Sequence, residues 1–84
     1  MAHIVISTTK EERNKVLEAL RTIGDRVTAV SEIAKVAGLK ASRVRYAIQD
    51  LVDAGTIERV PHKAFNKHYI RYSYKVLKGG EAHG

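Results

Sequence analysis

Between Thr9 and Gly24 apolar residues recur at helical spacing, with Val16, Leu17, Leu20 and Ile23 on one face and charged residues around the rest. Thr9-Lys10-Glu11-Glu12 opens the segment with the spacing of a capping box. In that motif the Thr hydroxyl and the Glu carboxylate each satisfy a backbone N–H that the helix start leaves unpaired. Gly24 is a natural stop. A second helical segment runs from about Ala29 to Ala37 and a third from about Lys40 to Ala54, each followed by glycine, Gly38 and Gly55. After Gly55 the period changes from helical to alternating. Thr56 to Val60 is a strand candidate, Pro61 to His68 is polar and turn-like, and Tyr69 to Leu77 alternates again. In the last segment Ile70, Tyr72, Tyr74 and Val76 share one face, and Tyr69, Arg71, Ser73 and Lys75 the other. The pattern predicts a β-hairpin whose loop, about eight residues long, exceeds what a tight turn requires.

Residues Val30 to Leu51 carry the most specific local pattern. Ile33, Ala37, Leu39, Val44 and Ile48 are apolar where two short crossed helices must touch, and Ala34 is small where they approach. Gly38 sits where the turn wants a left-handed residue, a conformation that costs little only without a Cβ. The segment therefore reads as a helix-turn-helix. Arg26 to Ala29 is a short extended link before it, placed as a first small strand would be. The order helix, short strand, helix, turn, helix, strand, loop, strand predicts an α+β winged helix-turn-helix, three helices with a small antiparallel β-hairpin as the wing. The expected organisation is an N-terminal arm or short strand over residues 1–8, the domain over 9–78 and a frayed polar tail over 79–84.

Composition narrows the chemistry. At 84 residues the chain supports one core. It has no Cys, which excludes disulfides, thiolate zinc sites and cysteine nucleophiles. Near the start the longest apolar run is Ile4-Val5-Ile6, shorter than a signal-peptide core or a membrane span. The expectation is a cytoplasmic, nucleoid-associated protein with no membrane partner. The net charge of +6 is unevenly placed. Residues 1–34 hold five Lys/Arg against five acids, whereas residues 35–78 hold ten against three, a local excess of +7. That asymmetry points to a polyanionic partner.

On a wheel of about 100° per residue, Val44, Ala47, Ile48 and Leu51 form the buried stripe of the third helix. Ser42, Arg45, Tyr46 and Gln49 point away from it, with Arg43 and Asp50 at the sides. Arg reaches guanine edges or phosphates through its two-pronged donor fork, and Gln reaches adenine through a paired donor and acceptor. Lys40 and Ser42 lie at the helix start, where unpaired backbone N–H groups also favour a phosphate. The hairpin adds Arg59, His62, Lys63, Lys67, His68 and Arg71. Long cations there suit a phosphate backbone and contribute affinity more than sequence choice. The candidate nucleic-acid-binding set is Lys40, Ser42, Arg43, Arg45, Tyr46, Gln49, Lys63, Lys67 and Arg71. Arg43, Arg45, Tyr46 and Gln49 are expected to read the major groove of double-stranded DNA, and Lys63 and Lys67 to grip phosphates. Phe65 is expected to fold back as a local anchor, Tyr72 and Tyr74 to cover the core, and Tyr46 to be the exposed aromatic. Histidines 3, 62, 68 and 83 are scattered, with no Cys or carboxylate to complete a ligand set. The serines lack His/Asp partners at motif spacing, and there is no Gly-rich phosphate loop. Neither catalysis nor a cofactor is expected.

The stretch from Val27 to Lys78 resembles winged helix-turn-helix transcriptional regulators, and within them the small fimbrial-operon regulators of the FaeA/PapI type. The residues that carry the resemblance are Ser42-Arg43-Val44-Arg45-Tyr46, Asp53-Ala54-Gly55, Pro61-His62-Lys63 and Tyr69 to Leu77. It implies a DNA-binding transcriptional regulator; a homodimer, in which Met1 to Ser7 pair with their own copy as an added strand, and a protein co-regulator are the further partners expected. The same region also resembles a winged-helix protein of the small ribosomal subunit, through Ser42, Arg45, Ile48, Gly55 and Tyr69-Ile70-Arg71. RNA binding or ribosome association is accordingly the first alternative. A protein-interaction module is the second; it predicts an apolar exposed face on the third helix, and Arg45 and Gln49 count against it.

Overall fold

A computed structural model describes residues 8–63 and 70–77. Its elements are helices α1 (Lys10–Ile23), α2 (Val30–Ala37) and α3 (Ala41–Asp53), then strands β1 (Ile57–Lys63) and β2 (Ile70–Val76). The capping box of α1 is formed in both directions. The Glu12 N–H donates to Thr9 Oγ1, and the Thr9 N–H donates to Glu12 Oε1, each at 3.0 Å. Gly38 ends α2 at φ 72° and ψ 33°, the left-handed conformation expected of the turn. Its N–H donates to the Ala34 carbonyl at 2.8 Å, and the Leu39 N–H to the same carbonyl at 3.1 Å. One carbonyl near the end of α2 thus closes the turn into α3.

The three helices meet in a core built from the predicted stripes. Val16, Leu17 and Leu20 of α1, Ile33 of α2, and Val44, Ala47, Ile48 and Leu51 of α3 are all buried. Ile57 of β1 and Tyr74 of β2 close this core from the sheet side, with Tyr72 and Val76 packed against it. Burying Tyr74 disfavours its charged form, and its pKa is raised.

The two strands pair antiparallel, from Ile57 opposite Val76 to Lys63 opposite Ile70. Thr28, in the link between α1 and α2, adds a single bridge to Tyr72, and its N–H donates to the Tyr72 carbonyl at 2.9 Å. The short first strand is therefore present as that bridge. Three helices, an antiparallel hairpin and this bridge make an α+β domain with the winged helix-turn-helix layout.

One boundary differs from expectation. The residue pattern ends the first hairpin strand at Val60, with Pro61 opening a turn, yet β1 continues through Pro61 and His62 to Lys63. The phase of the β1–β2 ladder, marked by the bridge to Thr28, explains why proline is tolerated. Tyr72 turns its carbonyl toward Thr28, away from β1, so the Pro61–Tyr72 pair is one that exchanges no ladder hydrogen bonds. The N–H that proline lacks would have faced outward. Residues 1–7 of the arm expected over 1–8, Phe65, Lys67 and His68 of the expected loop, and the chain after Leu77 lie outside the described residues. Among the described residues no helix is long and apolar enough to cross a membrane.

Candidate nucleic-acid interface

Burying Val44, Ala47, Ile48 and Leu51 fixes the rotation of α3 and dictates what its other side presents. Ser42, Arg45, Tyr46 and Gln49 all lie on that exposed side, and Tyr46 keeps 39% of its surface accessible. Lys40 is exposed at the N-cap, where no side chain caps the helix. No described residue forms a hydrogen bond or ion pair with the Arg45 guanidinium.

Arg43 is placed differently from its neighbours. Its sequence position suggests a groove reader, but its guanidinium is turned to α1, where Nε donates to Glu12 Oε2 at 3.0 Å and Nη2 to Glu12 Oε1 at 2.7 Å. Both side chains are largely covered, at 32% and 20% exposure. The same carboxylate that caps α1 therefore also fastens the first turn of α3. Hydrogen bonding to Arg43, aided by the Thr9 N–H, holds the Glu12 carboxyl at about 2, well below the 4.5 of an unhindered glutamate. A position at the side of the helical wheel faces a neighbouring helix rather than solvent.

Asp50, on the other flank of α3, is likewise occupied. The buried Thr8 donates from Oγ1 to Asp50 Oδ2 at 2.6 Å, and Arg13 Nη1 donates to the Thr8 carbonyl at 2.6 Å. The acids of α1 and α2 are also engaged locally: Glu11 with Lys15 at 3.6 Å, Glu18 with Arg21, and Glu32 with Arg26. Lys15, Arg21 and Arg26 are thus met by nearby acids, while Lys40 and Arg45 have no acid within reach among the described residues.

Gln49 stands where α3 meets the hairpin. Its Nε2 donates to Asp53 Oδ1 at 2.9 Å, and its Oε1 accepts from Arg59 Nη2 at 3.5 Å. The Arg59 guanidinium also lies over the Tyr72 ring, 5.2 Å from its centre, a cation–π arrangement. From the sequence Arg59 is only one more cation of the wing. The available signal is its alternation with Ile57, which places it on the inward face of β1, the face shared with Tyr72 and Tyr74. On the other face Arg71 is exposed opposite His62, whose Nε2 lies 2.8 Å from Ser73 Oγ. The Lys63 side chain and all of Lys67 lie outside the described residues.

Among the described residues no three His, Asp or Glu side chains converge as a metal site requires. An open depression between α1 and α2, with Asn14, Glu18 and Val36 in its lining, includes no residue of α3 or the hairpin. Comparison of the chain with protein-family models, with characterised proteins and with solved structures finds no match.

Proposed function

We propose that this chain is a sequence-specific, double-stranded DNA-binding protein that regulates transcription. In this reading α3 enters the major groove and the hairpin rests on the phosphate backbone. The observation that carries it is the exposed side of α3, where Ser42, Arg45, Tyr46 and Gln49 stand opposite a fully buried stripe. An α-helix fits the major groove, and these side chains are of the types that hydrogen-bond base edges there. Arg45 is the principal reader, because its guanidinium is exposed and no described residue pairs with it. Lys40 at the helix start and Arg71 on the hairpin contact phosphates and set register without reading sequence. The local excess of +7 in residues 35–78 supplies the long-range attraction to a polyanion. A protein acting on DNA in this way works at the nucleoid.

The test is a salt-dependent titration of the full chain against duplex DNA carrying a selected site, scrambled duplex and structured RNA. The expected result is tightest binding to the selected duplex, with Arg45→Ala costing roughly 1–3 kcal/mol there and much less on scrambled duplex. Equal loss on every duplex removes base reading by α3. Preference for the RNA replaces this reading with an RNA-binding one, and binding to neither polyanion leaves a protein-interaction role.

A further inference from the structure

We infer that Arg59 and Asp53 are positioning residues that hold the Gln49 carboxamide in one orientation, and that this makes Gln49 select adenine against guanine. The inference rests on the DNA-binding reading above and concerns one side chain within it.

Gln49 can ordinarily present its carboxamide either way round, since its oxygen and nitrogen are nearly equal in size. Here its two neighbours decide. Arg59 has only donors and Asp53, when ionised, only acceptors. The oxygen must therefore face Arg59, at 3.5 Å, and the nitrogen must face Asp53, at 2.9 Å. Turning the amide over would set its N–H groups against a guanidinium and its oxygen against a carboxylate. Arg59 is itself held, because its guanidinium lies over the Tyr72 ring. The bond to Asp53 spans one helical turn within α3, while the bond to Arg59 crosses from the hairpin. The hairpin therefore takes part in orienting a side chain of the recognition helix.

Counting valences gives the consequence. The oxygen has two lone pairs and the nitrogen two hydrogens, and each neighbour uses one. What remains is one acceptor beside one donor, with their order along the helix fixed. Adenine offers the complementary pair in the major groove, the N6 amino group and N7. Guanine offers two acceptors, N7 and O6, so the fixed oxygen would meet an acceptor and the only remaining hydrogen could satisfy just one of the two. An unrestrained glutamine escapes this conflict by giving both hydrogens to guanine. The restraint closes that escape, which is how residues that touch no base set specificity.

The test starts by selecting duplexes from a random library with the full chain, and uses Gln49→Ala to find the base pair whose identity ceases to matter. Binding is then measured with adenine and with guanine at that position, for the parent, Asp53→Ala and Arg59→Met. The parent is expected to prefer adenine about tenfold, the discrimination expected of one well-made pairing with a base edge, and each variant to fall to about twofold. Arg59→Met will also weaken binding to every duplex, but a purely electrostatic or structural role leaves the adenine-to-guanine ratio unchanged. An unchanged ratio in both variants overturns the inference, as does guanine at the position in the parent or no position responding to Gln49→Ala. In those cases DNA binding itself still stands. Failure to select any duplex defeats the DNA-binding reading and this inference with it.

Discussion

The Arg43 guanidinium grips the Glu12 carboxylate through two hydrogen bonds, 3.0 and 2.7 Å long, and so joins the first turn of α3 to the first turn of α1. Folding lowers the Glu12 pKa from 4.5 to about 2, which ties stability to pH. A depressed carboxyl pKa contributes stability that is complete above the unfolded value and is lost as the pH falls toward the folded one. Glu12→Gln should therefore melt below the parent at neutral pH, with the gap closing between pH 4.5 and about 2. Glutamine at this position retains the capping box, so the variant isolates the charge on Arg43. Thermal melts of both proteins across that range check it; a gap that persists at the acid end contradicts the assignment.

Arg43 and Arg45 should separate by phenotype. Arg43→Ala breaks the tie to Glu12 and is expected to lower the melting temperature, with loss of DNA affinity following loss of folded protein. Arg45 has no described partner to lose, so Arg45→Ala should leave the melting curve within about 0.5 kcal/mol of the parent while weakening the preferred duplex. Paired melting and binding curves for the two variants decide it. The reverse pattern would move base reading from Arg45 to Arg43.

Gly38 isolates a backbone effect. A Cβ added there meets nothing within 4 Å, yet φ is +72°. Gly38→Ala is therefore expected to cost roughly 1–2 kcal/mol from left-handed strain alone, and Gly38→Asn less, since asparagine tolerates that conformation. Denaturant unfolding of the three proteins measures the order. If alanine and asparagine cost the same, the turn has rearranged and strain is not the cause.

Helix positions are legible in the chain because their signals lie within a few residues: the Thr9–Glu12 box, the apolar stripes, and a glycine after each helix. The exposed face of α3 is equally readable, because the buried stripe fixes the rotation of everything else on the helix. The misplaced features depend on residues far apart in sequence. Arg43 meets Glu12 across 31 positions, and a helical wheel cannot show what stands beside its flank. Proline at 61 is acceptable in β1 because its register with β2 places it in a pair that exchanges no ladder hydrogen bonds, a phase set by pairing with a distant segment. Placing Arg59 requires knowing that the inward face of β1 lies against the end of α3. Local pattern supplies the elements, and the packing between them chooses which polar groups remain available.

The part in binding proposed for the hairpin would have a quantitative signature in salt. Each phosphate that a cation neutralises releases condensed counterions, so the slope of log K against log salt is reduced by about 0.9 for each phosphate left without its cation on B-form DNA. Arg71 is exposed on the outer face of β2, and Lys63 closes β1 at the loop end of the hairpin. Arg71→Ala, Lys63→Ala and Lys67→Ala should each reduce the slope by about one unit, and should weaken selected and scrambled duplexes by the same factor. Arg45→Ala should instead weaken the selected duplex preferentially, because pairing with a base edge adds discrimination as well as charge. Titrations across a range of salt concentrations on both duplexes separate the two kinds of interaction. A slope unaltered by all three hairpin variants takes the hairpin off the phosphate backbone and leaves α3 as the sole binding element.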